Sequence, residues 1–316
     1  MTRPAGTHVA IVGAGAVGAT IAYACQIRGV AKKLSLYDVS ADKARAEVLD
    51  LNHGAAFVPV TSITGGDDIG VCEDADIVVV TAGAKQKPGQ TRLDLAAANV
   101  DMCHELLPKL LDVAPDALLL VVTNPVDVIT YAALRISGLP AHRVFGSGTV
   151  LDSARFRFLI AEHLSVAVPN VHAAIAGEHG DSEIPLWSSA SVGTIGIDAW
   201  DVPGRRLTAE DREQIASRVV SAAYEIIQGK GATNYAIGLA VAQILEAILG
   251  DENRVLSVSS LLRDYQGIDD VCLSVPSLVN RRGVEVPLDV PLSDLELAGL
   301  RGSGDAVRQV CRDLGL

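Results

Sequence analysis

Two short segments of the chain contain the residue types that acid–base chemistry on an anion requires. Residues 151–157 read LDSARFR, and residues 177–183 read GEHGDSE. If the first segment is helical, Asp152 and Arg155 are three residues apart and lie on one face. His179 lies between glycines, where the backbone turns tightly and a ligand can approach closely. A histidine oriented by a carboxylate, beside an arginine that binds an anion through two hydrogen bonds, predicts proton transfer to an anionic substrate.

A glycine-rich turn near the start of the chain predicts a dinucleotide cofactor. Residues 13–18 read GAGAVG and follow an apolar stretch at residues 9–12 that has the composition of a buried strand. The first glycine permits the turn, the second lets the backbone approach a pyrophosphate, and the third allows close helix packing. The cofactor contacts that we expect from this turn are Gly13, Gly15, Val17 and Gly18.

Asp38 strengthens this prediction and selects the cofactor. It ends the next strand-like stretch, where its carboxylate can accept hydrogen bonds from the adenosine ribose. An acid at this position repels a 2′-phosphate, so NAD is favoured over NADP. A glycine turn needed only for packing is the alternative, and it does not account for Asp38.

Two further turns are expected to line the cofactor cleft. Thr81, Ala82 and Gly83 follow one predicted strand, and Thr123 and Asn124 follow the next. Ligands of parallel sheets lie beyond the carboxyl ends of the strands. We expect Asn124 to contact the nicotinamide ribose or the substrate, although an Asx-turn before the following proline remains open.

Length and composition describe a well-packed protein with space for two domains. The 316 residues are 49% apolar and 20% charged, which is unlike a disordered chain. The formal net charge of −12 argues against binding to nucleic acid or to a membrane surface. The five cysteines lack CxxC spacing, which predicts reduced thiols, no disulfide and no metal site. With no signal peptide and no apolar run of about 18 residues, we expect a cytoplasmic protein.

The first half of the chain alternates strand-like and helix-like stretches. We expect strands at residues 9–12, 34–37, 77–81, 118–123 and 144–145, and helices at residues 16–28, 41–51, 92–113 and 127–137. This alternation predicts an α/β fold with a Rossmann-type, doubly wound parallel sheet. We therefore assign residues 1–147 to an NAD-binding domain.

The pattern changes in the second half, which predicts an α+β catalytic and substrate domain over residues 148–316. Helices are expected at residues 152–163, 208–228 and 233–249 and from residue 293, with extended runs at 171–176 and 191–195. Thr208 and Asp211 match a capping pattern at the start of one helix. Residues 254–262, 271–278 and 283–286 are predicted to form an antiparallel meander in this domain.

The chain resembles the lactate/malate dehydrogenase family over essentially its whole length. The resemblance rests on four motifs in this order: the glycine motif, TNPVD at residues 123–127, LDSARFR and GEHGDSE. The resemblance implies that His179 protonates the substrate carbonyl oxygen as hydride arrives from the nicotinamide. It implies that Asp152 fixes the histidine tautomer and that Arg155 binds the substrate carboxylate. Arg92 matches a closing-loop arginine that polarises the carbonyl. These roles suit the reaction, because hydride addition forms an alkoxide that needs a proton donor and a fixed positive charge.

The loop before Arg92 decides the substrate within this family. Members that act on malate carry an arginine at the position matched by Gln86, which binds the second carboxylate of oxaloacetate. Because Gln86 is neutral, a dicarboxylate would bring an unpaired charge into a closed site. This favours pyruvate and the L-lactate branch of the family. Three alternatives stay open: replacement of the missing arginine by Lys85 or Lys87, malate or another 2-hydroxy acid as substrate, and a non-catalytic NAD-binding protein.

The resemblance implies three further contacts. Ser147 and Ile237 are expected at the cofactor, with Ile237 against the nicotinamide face. Thr233 matches a small residue that faces the substrate side chain, and N-capping of the following helix is an alternative role.

The resemblance also implies a regulatory site and an oligomer. In bacterial lactate dehydrogenases that fructose 1,6-bisphosphate activates, an arginine and a histidine matched by Arg157 and His172 bind the sugar phosphates. Two copies of each residue across a two-fold axis would repel one another until phosphate binds. We therefore expect a homotetramer with this activator, whereas solvent-exposed charges with no ligand are the alternative.

Overall fold

The computed structural model of the chain describes residues 6–84 and 91–316, without the side chain of Arg92. The helices are α1 (Ala16–Arg28), α2 (Ala41–His53), α3 (Arg92–Val113), α4 (Val126–Ser137), α5 (Val150–Leu164), α6 (Ala209–Lys230), α7 (Tyr235–Leu249) and α8 (Asp294–Asp313). The strands are β1 (His8–Val12), β2 (Lys33–Tyr37), β3 (Ser62–Gly66), β4 (Ile77–Val80), β5 (Leu118–Val121), β6 (Val144–Gly146), β7 (Val171–His172), β8 (Ile175–Ala176), β9 (Ile184–Pro185), β10 (Ser191–Val192), β11 (Ile195–Gly196), β12 (Arg254–Leu262), β13 (Val271–Asn280) and β14 (Gly283–Pro287).

Nine strands form one sheet in the order β14-β13-β12-β6-β5-β4-β1-β2-β3. The strands from β6 to β3 pair in parallel. Every residue of β1, β4 and β5 is buried, because apolar side chains point to both faces of a sheet that helices cover. The predicted α/β class with a doubly wound parallel sheet is confirmed. The carboxyl ends of β1, β4 and β5 lie side by side and bring the predicted turns together.

The edge strand β3 was absent from the sequence prediction. It reads SITGG, and Ile63 is its only fully buried residue, so its apolar signal is too weak to be recognised. Parallel pairing with β2 stabilises it. The predicted run at residues 171–176 is also wrong as one strand, because it is divided into β7 and β8, which pair with different partners.

The C-terminal meander extends the first sheet. Strands β12, β13 and β14 are antiparallel neighbours, as predicted. We expected them in a separate second domain, but β12 pairs with β6 through Ser259 and Gly146. The sheet therefore continues across the proposed boundary at residues 147 and 148, so parts of both halves share one core.

Helices cover both faces of the sheet. One apolar cluster contains Ile21 of α1 and Leu245 of α7. Another contains Leu107 of α3, Ile129 of α4 and Val307 of α8. The glycine-rich turn therefore leads into a helix that α7, from the second half of the chain, helps to bury.

Helix α5 is anchored at both ends. Val150 at its start belongs to an apolar cluster of the sheet. Phe156 and Leu159 belong to a third cluster that includes Ile215 of α6 and Val171 of β7. This packing holds the first turns of α5 between the large sheet and the third cluster, to which α6 and β7 contribute.

Three smaller expectations can be compared with the structure. Thr208 and Asp211 form the predicted capping box of α6. All five cysteines are buried, as expected for small apolar residues. Among residues 6–84 and 91–316, no helix combines the length and apolarity needed to cross a membrane.

Candidate active site

Asp152 connects the predicted histidine and arginine. It lies in the first turn of α5, and its side chain is only 1% exposed. Its Oδ2 lies 2.6 Å from His179 Nδ1, and its Oδ1 accepts a 2.7 Å hydrogen bond from Arg155 Nη1. The predicted adjacency of the three side chains is therefore confirmed. Each residue limits the movement of the next.

The electrostatics of the pair favour a charged imidazolium beside a carboxylate. Burial opposes both charges, but the charge of His179 and the hydrogen bond to it, with the charge of Arg155, hold the pKa of Asp152 below its ordinary value. Burial also opposes the charge on His179, but the charge and hydrogen bond of Asp152 and the charge of Asp127 raise the pKa of His179 to about 9. With Nδ1 bound to Asp152, Nε2 is the nitrogen available for proton exchange.

Asp127 is a second carboxylate behind the histidine, and sequence reasoning missed its role. It lies in the first turn of α4 and is 2% exposed. His179 N donates to Asp127 Oδ2 at 2.8 Å, and Ser259 Oγ donates to Oδ1 at 2.6 Å. Burial raises the pKa of Asp127 to about 6, against the effect of these hydrogen bonds. The sequence signals were its place at the end of the TNPVD motif and its position at the start of a helix, where an acid more often interacts with the helix dipole.

Glu183 is a third acid near His179, and the sequence analysis assigned it no role. Asp152, His179 and Glu183 each place one side-chain oxygen or nitrogen within 4.8 Å of the others. Oε1 of Glu183 is buried and has no hydrogen-bond partner among the described residues. Burial and the negative charge of Asp152 raise the pKa of Glu183 to about 8.

Hydrogen bonds from a single guanidinium nitrogen, Nη1, hold Arg155 in place. Its side chain is 14% exposed, and Nη1 also donates to Val219 O of α6 at 3.2 Å. Within the described part of the chain, Nε and Nη2 form no hydrogen bond, so these two adjacent donors can bind a carboxylate.

The glycine turn has the shape that a bound pyrophosphate requires. Gly13 has a φ of +103°, and a Cβ there would lie 2.7 Å from Ala82 N. A Cβ on Gly18 would lie 1.9 Å from Gly13 O, so α1 can pack this closely only with glycine. At Gly15 the nearest atom to a Cβ is Lys43 Nζ at 3.8 Å, so the surface of the turn is open to a ligand. Backbone N–H groups at the start of α1 suit an anionic diphosphate.

Asp38 lies beside this turn at the end of β2. Its Oδ2 accepts from Ala14 N at 2.8 Å and its Oδ1 from Ser40 N at 3.0 Å. Burial opposes its charge, but these bonds and Lys43 lower the pKa of Asp38, so it is an anion at neutral pH. An ionised carboxylate with unused lone pairs suits the hydroxyl groups of a ribose.

Thr81 and Thr123 use their hydroxyl groups within the protein. Thr81 Oγ1 donates to Gly13 O at 2.9 Å, and Thr123 Oγ1 donates to Ala82 O at 2.6 Å. These bonds connect the glycine turn, the turn after β4 and the turn after β5. The two side chains therefore hold the walls of the cleft, and a ligand there would contact backbone groups.

Asn99 of α3 is another residue that the sequence analysis missed. It is 1% exposed, accepts from Ala84 N at 2.8 Å and donates to Asn124 O at 2.7 Å. It thereby joins the turn containing Gly83 to the turn after β5. The side chain of Asn124 is exposed and forms no hydrogen bond with the described residues, so the Asx-turn alternative is wrong. The Asn124–Pro125 peptide bond is cis.

Thr233 and Asn234 lie at the start of α7. Asn234 is the N-cap residue and makes no side-chain capping bond, so the alternative role of Thr233 as N-cap is wrong. Thr233 is half-buried just before the helix. Asn234 Nδ2 donates to Thr20 Oγ1 of α1 at 2.9 Å, which places this end of α7 beside the cofactor helix.

The remaining predicted cofactor residues lie near the same edge of the sheet. Ser147 is buried directly after β6, and its N–H donates to Val121 O at 2.8 Å. Val17 and Ile237 are half-buried and pack against the same apolar cluster. Ile237 therefore lies on α7 close to where α1 begins.

The residues predicted to select the substrate fall outside the described part of the chain, in whole or in part. Gln86, Lys85 and Lys87 lie outside the described residues. Arg92 begins α3 directly after the capping residue Thr91, and its side chain lies outside the description. The roles of Gln86 and Arg92 therefore remain predictions.

Arg157 of α5 is hydrogen-bonded to the backbone beside His172. Arg157 Nε donates to Ala173 O at 2.7 Å, one residue beyond His172. Burial lowers the pKa of Arg157, whereas His172 is exposed on β7. Within residues 6–84 and 91–316, neither the Nη atoms of Arg157 nor the His172 ring form a hydrogen bond.

Two family models match the chain. The lactate/malate dehydrogenase NAD-binding domain matches residues 7–146, and the alpha/beta C-terminal domain of the same family matches residues 149–313.

Several curated relatives are similar over nearly their whole length. The chain is 55% identical to an L-lactate dehydrogenase of Bifidobacterium animalis subsp. lactis, covering 98% of this chain and 97% of the relative. It is 46% identical to an L-lactate dehydrogenase of a Thermoanaerobacter species, with coverage of 98% and 99%. A crystal structure of the minor L-lactate dehydrogenase of Enterococcus mundtii, in a ligand-bound form, has a TM-score of 0.94 at 41% identity, covering 98% of both chains.

Proposed function

Because the chain belongs to the lactate/malate dehydrogenase family, we propose that it is an L-lactate dehydrogenase that interconverts pyruvate and (S)-lactate with NAD. The observation that carries this proposal is the hydrogen-bonded series of His179, Asp152 and Arg155. It combines a proton donor, a buried counter-charge and an anion-binding guanidinium in one place. The names of the similar relatives support lactate as the substrate.

His179 is the proton donor of this proposal. NAD in its reduced form supplies the hydride that adds to the carbonyl carbon. His179 donates a proton from Nε2 to the carbonyl oxygen, because Asp152 holds Nδ1 at 2.6 Å. The carboxylate of Asp152 stabilises the imidazolium before transfer and keeps the ring oriented afterwards. In lactate oxidation the neutral ring accepts the proton.

Arg155 and two further residues orient the substrate in this proposal. The carboxylate of pyruvate binds Nε and Nη2 of Arg155, while the bond from Nη1 to Asp152 prevents the guanidinium from rotating. Asn124 contacts the substrate or the nicotinamide ribose from the end of β5. Arg92, at the start of α3, polarises the carbonyl when the loop closes.

Gln86 sets the preference for a monocarboxylate. It has no charge to pair with the second carboxylate of oxaloacetate, and a buried unpaired carboxylate is strongly unfavourable. Malate or another 2-hydroxy acid is the second candidate. NADH oxidation with pyruvate, oxaloacetate and 2-oxoisocaproate separates these substrates, and pyruvate should give the highest kcat/KM.

Gln86→Arg tests the discriminator directly. We expect the ratio of kcat/KM for oxaloacetate to that for pyruvate to rise by at least about a hundredfold. An unchanged ratio removes Gln86 from this role, and no turnover of any 2-oxo acid by the parent enzyme removes the proposed function.

We also propose that fructose 1,6-bisphosphate activates a homotetramer of this chain through Arg157 and His172. The support is local: Arg157 is tied to the residue next to His172 and keeps its Nη donors for an anion. Phosphate binding between two copies would remove the repulsion of the paired positive charges. The five buried thiols favour a reducing compartment, the cytoplasm.

Pyruvate saturation curves with and without the bisphosphate test this regulation. The activator should lower the half-saturating concentration, and Arg157→Gln should remove the response while preserving turnover at saturating pyruvate. Arg218→Gln, on exposed α6, is the matched control because it removes the same charge. Overlapping hyperbolic curves for the parent enzyme contradict the regulatory proposal and leave the proposed reaction intact.

A further inference from the structure

Glu183 is positioned to act on the acid–base pair without touching the substrate. It lies on the same loop as His179, directly before β9. One oxygen of its carboxyl group lies within 4.8 Å of a ring nitrogen of His179 and of a carboxylate oxygen of Asp152. Its Oε1 is buried without a hydrogen bond to the described residues. A buried, unpaired carboxylate oxygen is costly, and a proton on the carboxyl group reduces that cost.

Burial and the negative charge of Asp152 favour the protonated form of Glu183, and they outweigh the opposing positive charges of His179 and Arg155. Asp152 is an anion that is hydrogen-bonded to His179 and Arg155. A second ionised carboxylate at this distance would be repelled by its like charge. The titratable and charged groups that face Glu183 are Asp152 and Arg155 from α5 and His179 and Asp181 from its own loop.

Charge matching to the substrate gives this proton a function. With Glu183 neutral, Asp152, His179 and Arg155 have a net charge of +1 beside the substrate, which matches one carboxylate. If Glu183 ionises, these four groups are neutral together and a monoanion gains less. We propose that Glu183 is a positioning residue that must carry a proton when the site binds its 2-oxo acid, so that binding is linked to two protons.

This inference rests on the proposed function, because it assumes that a 2-oxo acid binds at Arg155 and His179. The pKa values give its pH range. The pKa of Glu183 is raised to about 8 and that of His179 to about 9, so both groups lose their protons as pH rises through this range. Loss of either proton weakens anion binding, and the effects of the two losses on the binding constant multiply.

The test is the pH dependence of oxamate binding to the enzyme–NADH complex. Oxamate is an amide analogue of pyruvate that accepts no hydride. For the parent enzyme we expect the Kd of oxamate to approach a rise of about a hundredfold per pH unit at the alkaline limit. In Glu183→Gln the side chain is neutral at every pH, so the Kd of oxamate should rise by only about tenfold per pH unit at the alkaline limit. Its midpoint also shifts down, because ionised Glu183 helps to raise the pKa of His179.

Asp181→Asn is the matched control. It removes one carboxylate from the same loop, but Asp181 is exposed and accepts a hydrogen bond from Tyr224. We expect it to keep the steep, two-proton dependence.

Two results overturn the inference: a one-proton dependence in the parent enzyme, or a two-proton dependence that persists in Glu183→Gln. If Glu183→Gln does not fold, calorimetry of the parent enzyme in buffers of different ionisation enthalpy decides the question. More than one proton taken up per oxamate at about pH 9.5 supports it, and one or fewer contradicts it. Normal pyruvate turnover with a one-proton dependence removes only this inference, whereas no turnover and no oxamate binding removes the proposed function as well.

Discussion

The glycine turn and the acid–base centre depend on opposite physical properties. In the turn, the missing side chains define the structure, since a Cβ on Gly18 would lie 1.9 Å from Gly13 O. Around His179, charge defines the structure, since Asp152 and Asp127 are both nearly inaccessible to solvent and both accept a hydrogen bond from His179. The turn should therefore be sensitive to volume, and the acid–base centre to charge at constant volume.

The largest expected effect comes from removing the titratable ring. In His179→Gln the volume is similar, but the glutamine side chain has no titratable proton to donate near neutral pH. We expect kcat for pyruvate reduction to fall by about 10²–10⁴-fold, while the Kd of NADH stays within about twofold. His104→Gln, on the exposed side of α3, is the control. A kcat within about tenfold of the parent enzyme would exclude His179 as the proton donor.

A one-carbon change in the turn should have the next largest effect. Gly18→Ala forces a displacement of the backbone at Gly13, with an expected cost of about 1–3 kcal/mol. The Kd of NADH should rise at least about fivefold, measured by fluorescence titration, with a lower Tm. Gly66→Ala is the control because no atom lies within 4 Å of its Cβ position. Equal effects of the two substitutions would contradict the role of volume in the turn.

The pH dependence of the two reaction directions should be opposite. The pKa of His179 is raised to about 9, so the imidazolium persists at neutral pH and is lost as pH rises through that value. We expect kcat/KM for pyruvate reduction to be level near neutrality and then to fall at least about tenfold per pH unit. Lactate oxidation needs the neutral ring and should increase over the same range. Parallel profiles for both directions would exclude one shared acid–base group.

Asp127→Asn should have the smallest effect, and it separates charge from geometry. The amide can still accept from His179 N and donate to Ser259 Oγ, so the loop keeps its position. The lost charge should move the alkaline limb of the reduction profile to lower pH, with kcat/KM at neutral pH within about tenfold. Asp116→Asn, an exposed acid at the amino end of β5, should leave the profile unchanged. An unshifted profile for Asp127→Asn would limit its role to hydrogen bonding.

Features with local spacing were predictable from the sequence. Asp152 and Arg155 are three residues apart, and the helix that contains them places their charged atoms 2.7 Å apart. The strand, glycine turn and helix at the start of the chain are likewise determined by a contiguous segment. The capping box of Thr208 and Asp211 follows the same principle.

Features that depend on distant segments were not predictable. Asp127 and His179 are 52 residues apart and meet because α4 and the loop that contains His179 converge at Ser259 of β12. Asn99 joins two turns in the same way. The meander was recognised as three strands, but its pairing with β6 depends on one edge of the sheet being open.

Residue types and short-range spacing therefore predicted the candidate reacting groups, the cofactor turn and the α/β class, because helices and tight turns are set by neighbouring residues. The folded chain decided which buried acids lie beside His179, because burial and like charge change a pKa only when distant side chains are brought together. Glu183 illustrates this difference: an ordinary acid in the sequence, it becomes a raised-pKa carboxyl group beside Asp152 in the fold.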